Sequence, residues 1–282
     1  MVLIREGLPR MQVTRIEGTR GLPRLNLHEL WEFRELLGLL VWRDLRIRYK
    51  QTILGAAWVI LPTLLTGLLF ALVFGRWGGL GSDHIPYLPF YLAAVLPWNF
   101  FSNIVQKTAG CLTSNSHIIK KVYFPRLLLA LEAVITGFVD LLITSSLLIF
   151  AMIWYGLPLR MEILLLPILI LMAALCGLAI GLWAAAFNAY FRDVNMILPH
   201  MIQIWFFMTP IVYSTSIFPP TVATIAKLNP MGSVVNGFRW SLYGTGPGLD
   251  VYGIASTFVF LIILITGAFY FRHVERTSVD VV

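Results

Sequence analysis

The side chains able to do chemistry here are few, and most sit inside apolar text. Glu132 and Asp140 fall within one hydrophobic run, His200 and Gln203 within another. Ionisable groups in such surroundings are costly and mark a pathway, a relay or a structural pair. At about 100° per residue, eight residues leave Glu132 and Asp140 about 80° apart, so both can face the inside of a bundle. One reading is a proton relay or polar substrate path. The other is structural: hydroxyls such as Thr136 and Thr144 satisfy the carboxylates, or a basic residue at the water side reaches Glu132, six residues from Arg126. His200 and Gln203 carry the same two readings.

Other chemistries lack their residues. No Gly-x-x-x-x-Gly-Lys-Ser/Thr occurs, nor any Gly-Lys pair, so the P-loop manner of cradling a nucleotide is excluded. His28, His84, His117, His200 and His273 are scattered without metal-ligand spacing, and no metal site is expected. No Gly-x-Ser-x-Gly elbow is present. The acidic residues expected on the outer side, Asp83, Glu162 and Asp250, form no carboxylate pair for glycoside chemistry. The chain reads as a non-enzyme that binds no cofactor of its own.

Aromatic residues make up 13% of the chain and gather in two places. Tyr87, Phe90, Tyr91, Trp98, Phe100 and Phe101 form one group; Trp205, Phe206, Phe207, Tyr213 and Phe218 form the other. They read either as an interfacial aromatic belt or as a ring lining a path for something with apolar faces and polar edges, such as a sugar. The lining candidates are Trp98, Phe101, Trp205, Phe206 and Tyr213.

These groups must be positioned by membrane-spanning helices. Of 282 residues, 58% are hydrophobic and 12% charged, about half the usual charge of a soluble domain. That excludes a soluble enzyme, a disordered tail and a disulfide scaffold; Cys111 and Cys176 give no framework. Apolar runs at 54–74, 87–105, 127–153, 163–187, 196–213 and 251–271 approach or exceed the spanning length of about 20 residues. The expected fold is an all-α integral membrane protein with six transmembrane helices. Pro62, Pro97, Pro199 and Pro210 mark possible kinks. Residues 1–24 read as a polar cytoplasmic tail and 25–282 as one transmembrane domain.

Residues 26–48 read as an amphipathic helix on the inner leaflet, with Asn26 and Glu29 as a capping box and Leu30, Phe33, Leu37 and Leu40 at helical spacing. A helix packed on a soluble partner is the alternative. Between 214 and 250, the pieces 217–228 and 233–243 are apolar but too short to cross. They read as two short re-entrant outer helices before the last span, or as a surface loop. The net charge of +7 is read through topology rather than nucleic acid. With the N-terminus inside, six spans leave 17 Lys/Arg in cytoplasmic segments and 4 outside, and return the C-terminus to the cytoplasm.

Several stretches, in order, resemble the permeases of polysaccharide-exporting ABC transporters, the type-2 exporters of O-antigen and teichoic acid. They are RDLRIRYKQTILGAAWVILP at 43–62, LPWNFF at 96–101, KKVYFPR at 120–126, YFRDV at 190–194, MTPIVYS at 208–214, LNPM at 228–231, GFRW at 237–240 and YFRHVERTSVDVV at 270–282. The resemblance implies a membrane subunit for a lipid-linked polysaccharide such as O-antigen in a bacterial inner membrane. It implies a homodimer working with two separate ABC subunits that carry ATP and Mg, in contact with membrane lipids and with no nucleic acid. The cytoplasmic connection 115–126 is then the coupling element, through Lys120, Lys121, Val122, Tyr123, Phe124 and Arg126, with Arg192 and Asp193 from the next cytoplasmic corner. The short helices before the last span become an outer gate holding Phe218, Pro219, Arg239 and Trp240. Alternatives are a type-2 permease for a drug or lipid, or an ion-coupled transporter using Glu132 and Asp140; the chain shows no internal symmetry of the kind such transporters carry.

Overall fold

The computed structural model describes residues 27–50, 55, 57–77, 84–215, 219, 226–246, 248 and 251–277. The expected tail and Phe218 lie outside these residues, as does most of the first short outer segment. Two short-to-medium helices open the fold, α1 (Leu27–Glu32) and α2 (Arg34–Lys50). Next come α3 (Ala57–Phe70), running on as a π-helical turn over Ala71–Trp77, and α4 (Tyr87–Ser114). After the small α5 (Ser116–Ile119) come α6 (Leu127–Trp154) and α7 (Leu166–Tyr190). The chain finishes with α8 (Val194–Met208), α9 (Pro230–Tyr243) and α10 (Val251–Thr277). Among the described residues there is no strand.

Among the described residues, five segments are long and apolar enough to cross a membrane: Ala57–Trp77, Tyr87–Ser114, Leu127–Trp154, Met161–Tyr190 and Val251–Glu275. The fifth predicted run differs. Its helix, α8, holds 15 residues, about 22 Å against a hydrocarbon core of about 30 Å. It stops because Pro210 disfavours a helical Thr209, which is extended at φ −94° and ψ 139°. Even so, the run travels far. Asn195 at its start lies beside Gly110 of α4. Val212 past its end accepts a hydrogen bond from the Tyr87 hydroxyl at 2.5 Å. Those two points on α4 are about 34 Å apart.

The long helix α4 is the hub, wrapped by α6, α7, α8 and α9. Its approach to α7 depends on Gly177 and Gly181, one turn apart. A Cβ at the first would sit 2.9 Å from Ile104, and at the second 2.7 Å from Thr108. Small residues let membrane helices touch backbone to backbone, where dispersion replaces the missing hydrophobic drive. By contrast, α3 and α10 stand at the rim with most of their apolar surface uncovered.

One end of the bundle collects the α5 turn, the α7–α8 corner, α1 and the end of α10. Arg272 bridges to Glu29 at 2.8 Å there, and the Arg126 amide donates to Glu275 at 3.1 Å. Lys120, Lys121 and Arg192 share this basic end.

Candidate functional site

Four of the five aromatic lining candidates form one seam between α4 and α8. Trp98 meets Trp205 at 6.1 Å and Phe206 at 5.8 Å between centroids, both edge to face. Phe101 meets Trp205 at 5.2 Å and Trp98 at 5.3 Å. Edge-to-face pairs are the preferred arrangement of aromatic quadrupoles. Trp98 and Phe101 are buried within the chain, whereas Trp205 and Phe206 are half-buried. The adjoining Phe207, 55% exposed and edge-on to Phe206, presents the seam outward. The aromatic run 205–207 was the signal for it. Tyr213 stands apart, its hydroxyl donating to the Phe207 carbonyl at 2.7 Å.

Where α8 breaks, the bare carbonyls are buried inside the protein and need partners there. Arg239 of α9 supplies them. Only 3% exposed, it donates from Nη1 to the Pro210 carbonyl at 2.6 Å and from Nη2 to that of Ile211 at 2.7 Å. Its guanidinium also lies 3.5 Å from the centre of the Phe90 ring, a cation–π contact on a planar fork. The gate candidate is therefore a clamp holding irregular backbone between α4 and α9. Trp240 is half-buried and Pro219 exposed.

Asn229, which enters the sequence reading only within the LNPM stretch, is a second clamp. Its Oδ1 accepts from the Met231 amide at 3.1 Å, capping α9, and from Trp205 Nε1 at 3.1 Å. Its Nδ2 donates to Thr209 Oγ1 at 2.9 Å. The break in α8, the aromatic seam and the α9 N-terminus thus share one side chain. An Asn-Pro cap after an unwound Thr-Pro was the available signal.

The intramembrane acids are both paired, by partners that differ from the hydroxyls first expected. Thr136 and Thr144 donate to the carbonyls of Glu132 and Asp140, not to their carboxylates. Instead α2 delivers cations. Asp140 pairs with Arg48 and accepts from the Tyr49 hydroxyl at 2.5 Å. Glu132 lies 3.8 Å from Arg43, as the basic-partner reading allowed. Lys107 of α4 bridges to Asp44 at 2.7 Å and donates to Thr136 Oγ1 at 2.9 Å. Asp140 lies about 20 Å along α6 from its start, so α2 climbs the bundle beside α6. Its first half is amphipathic in the ordinary sense: Leu36, Leu37 and Leu40 face the core at the basic end. Its second half turns Arg43, Asp44 and Arg48 toward α6 and α4 and leaves Ile47 exposed, as Leu39 and Trp42 are in the turns before it. Burial first, and then the hydrogen bond to Asp140, push the Tyr49 phenol above its ordinary range.

On α8, His200 and Gln203 are exposed along with Met196, Ile197, Met201 and Ile204. They do not join the acids of α6.

In the 115–126 connection, Lys120, Lys121, Val122 and Tyr123 are exposed. Phe124 and Arg126, expected beside them on the outer surface, turn inward. Phe124 packs among Cys111, Leu112, Leu127 and Leu128, because it immediately precedes the turn into α6. Arg126 is 8% exposed and faces Glu275. Arg192 and Asp193 are exposed at the neighbouring corner. Among the described residues, no group of three or more His, Cys, Asp or Glu could hold a metal ion.

Apolar helices around a buried hub, an unwound segment clamped by arginine, and a helix with charges turned toward the bundle define a multi-pass membrane protein. Residues 35–243 match the ABC-2 type transporter family, and the chain belongs to it. It is a membrane subunit of a transporter. It is 30% identical over 220 residues to the O-antigen export system permease protein RfbA of Myxococcus xanthus, covering 77% of this chain and 84% of that protein. Two O-antigen export system permease proteins RfbA of Klebsiella pneumoniae are 25% and 27% identical over 207 residues, each match covering 73% of this chain and 79% of the relative.

Proposed function

We propose that this chain is the membrane subunit of an ATP-driven exporter of a lipid-linked polysaccharide, O-antigen or a close equivalent, in a bacterial inner membrane. The observation that carries the reading is the match of most of the chain to O-antigen export permeases. The α8 side of the aromatic seam supports it: Phe207, with the half-buried Trp205 and Phe206, offers the flat apolar surface along which sugar rings slide without tight capture, while Trp98 and Phe101, buried in the core, back it from behind rather than line the path. ATP hydrolysis belongs to a separate subunit with its own Mg and nucleotide. That subunit docks on Lys120, Lys121, Val122 and Tyr123 at the basic end, which is the cytoplasmic end, with both termini on that side.

A second permease copy completes the path. Two-fold closure is the commonest oligomer geometry, and the open face of α8 is its natural seam. There His200 and Gln203 stand among apolar residues, a poor fit to lipid but a good fit to a hydrated path between two copies. The test is reconstitution in vesicles with the partner ATPase. Polymer crosses only when both chains and ATP are present. Transport driven by a proton gradient without ATP overturns the proposal in favour of ion-coupled transport.

A further inference from the structure

The open surface of a spanning helix reports what it faces. Where α10 is uncovered it presents Phe258, Ile262 and Ile265, as lipid requires. The hub helix α4 is different. Beyond Leu88, each of its residues that is not buried is polar or glycine. Asn99, Asn103, Gln106, Gly110 and Ser114 recur every three or four positions and so form one stripe, with Lys107 and Thr113 at its edges. From Asn99 to Ser114 the stripe is about 22 Å long. The side chains of Asn99 and Asn103 have no hydrogen-bond partner among the described residues. Gln106 donates to Ser102 Oγ at 2.9 Å, which leaves its carbonyl oxygen open. Polar groups at membrane depth face a bundle interior or a water-filled space, because hydrocarbon offers them nothing.

The stripe is also recessed. On one side stands α8. A Cβ at Gly110 would lie 3.8 Å from Asn195 Oδ1, and Trp205 packs on Phe101. The exposed His200 and Gln203 fall between those two contacts, at the depth of Gln106 and Asn103. On the other side are α2 and α6. A cavity of about 420 Å³ opens there, with Gln106, Gly110 and Ser114 on its floor and Asp44, Ile47, Glu132 and Ala133 across from them. Its charges answer one another: Lys107 holds Asp44 at 2.7 Å, and Arg43 lies 3.8 Å from Glu132. What remains free to meet a solute is the row of carboxamides.

We propose that Asn99, Asn103 and Gln106 form the hydrogen-bonding floor of a water-filled transport groove, and that they meet the hydroxyls of the passing glycan before the aromatic face of α8 does. A carboxamide both donates and accepts, as a hydroxyl does, so each sugar unit finds a partner in either sense. Such neutral bonds exchange with water at little net cost, which lets a polymer move on. The identity of the solute rests on the exporter reading; the hydration of the groove does not.

The test has two arms, both on proteoliposomes holding the permease and its ATPase subunit. In a background lacking Cys111 and Cys176, single cysteines at 99, 103 and 106 react with a small charged methanethiosulfonate added on the ATPase side, because the reaction needs water and a thiolate. Cysteines at 262 and 265 on the lipid face of α10 do not. Silence at all three stripe positions overturns the proposal, since a stripe packed against lipid or a second copy excludes the reagent. In the second arm, Asn103→Leu with Gln106→Leu lowers ATP-driven export of lipid-linked O-antigen about tenfold, the share of two neutral hydrogen bonds, while the ATPase still co-purifies. Asn103→Gln with Gln106→Asn, which keeps both carboxamides, restores most of it. Where the leucine pair does not assemble, Asn103→Ala with Gln106→Ala takes its place. Unchanged export in the leucine or alanine pair defeats the proposal even if the thiols react, and so does an equal loss in the carboxamide pair. Thiol reactivity is read without transport, so its failure leaves the exporter reading standing. A wild type whose stripe is reactive but which exports no polymer counts against that reading alone.

Discussion

Arg239→Met keeps the aliphatic stem of the side chain and removes its fork, which isolates the clamp on the unwound end of α8. Two short bonds are lost, to the Pro210 and Ile211 carbonyls at 2.6 and 2.7 Å. Hydrogen bonds from charged groups contribute about 1.5–3 kcal/mol each, and the carbonyls are left in a site without water. The loss is therefore about 3–5 kcal/mol. For a chain of this size, 1 kcal/mol corresponds to about 2–4 °C, so Tm of the detergent-purified protein, followed by tryptophan fluorescence, falls by about 10 °C. Arg239→Lys recovers only part, because an ammonium lacks the planar fork that serves both carbonyls. Ile211, fully buried in the native protein, reports the same event locally. A cysteine placed there in a variant lacking Cys111 and Cys176 stays unreactive until Arg239 is changed. An unchanged Tm together with an unreactive thiol at 211 in the Arg239→Met background would refute the clamp.

Four further outcomes are expected. Arg48→Met strands the buried Asp140 with only the Tyr49 hydroxyl and costs about 3 kcal/mol, whereas Asp140→Leu costs less, because Arg48 is a third exposed and keeps Asp44 at 4.0 Å; the double variant loses less than the sum of the two in a double-mutant cycle, and additive losses would deny the pairing. Tyr49 does not ionise in the ordinary phenol range near pH 10, because its raised pKa makes its stabilising contribution present below that range and lost only above it. Wild type and Tyr49→Phe therefore release the same tyrosinate absorbance through that window, and a difference of one tyrosine contradicts the burial argument. Changing Val122 and Tyr123 to Ala leaves Tm intact and weakens ATPase binding by about 2 kcal/mol or more if either is a hot spot, read by co-purification; full association and full export in the double variant would move the docking surface elsewhere. Gly181→Leu forces a side chain onto Thr108, whose Cβ would stand 2.7 Å from the new Cβ; the α4–α7 contact opens and folded yield collapses, and a normally folded variant would show that this approach is slack.

Much of the fold was legible because length and apolarity act locally. A run that is apolar throughout and long enough has few fates, so α3, α4, α6, α7 and α10 appear close to where hydropathy places them. The fifth run was legible in place but not in form. Pro210 announced a kink, yet that the chain stays unwound through Val212 depended on donors far away in sequence. Arg239 and Tyr87 are those donors, and no local pattern states that a GFRW motif faces a TPIV segment.

The candidate site divides the same way. The aromatic clusters were visible as composition, and the structure joined Trp98, Phe101, Trp205 and Phe206 into one seam while leaving Tyr213 outside it. The polar residues of α6 were visible as anomalies, but their partners were not, because Arg43, Arg48 and Tyr49 sit about ninety positions away on a helix whose charges read as facing solvent. In water an amphipathic helix turns its charges outward; against a bundle whose surroundings are lipid, the favourable direction reverses. Phe124 shows the same limit at one position: an apolar residue beside lysines reads as exposed, and only the turn into α6 decides that it packs inward. The sequence alone determined which segments leave water, since transfer free energy is a property of the residues themselves. The tertiary structure alone decided which buried polar groups meet, because a buried charge or bare carbonyl is satisfied by geometry in three dimensions and not by its neighbours along the chain.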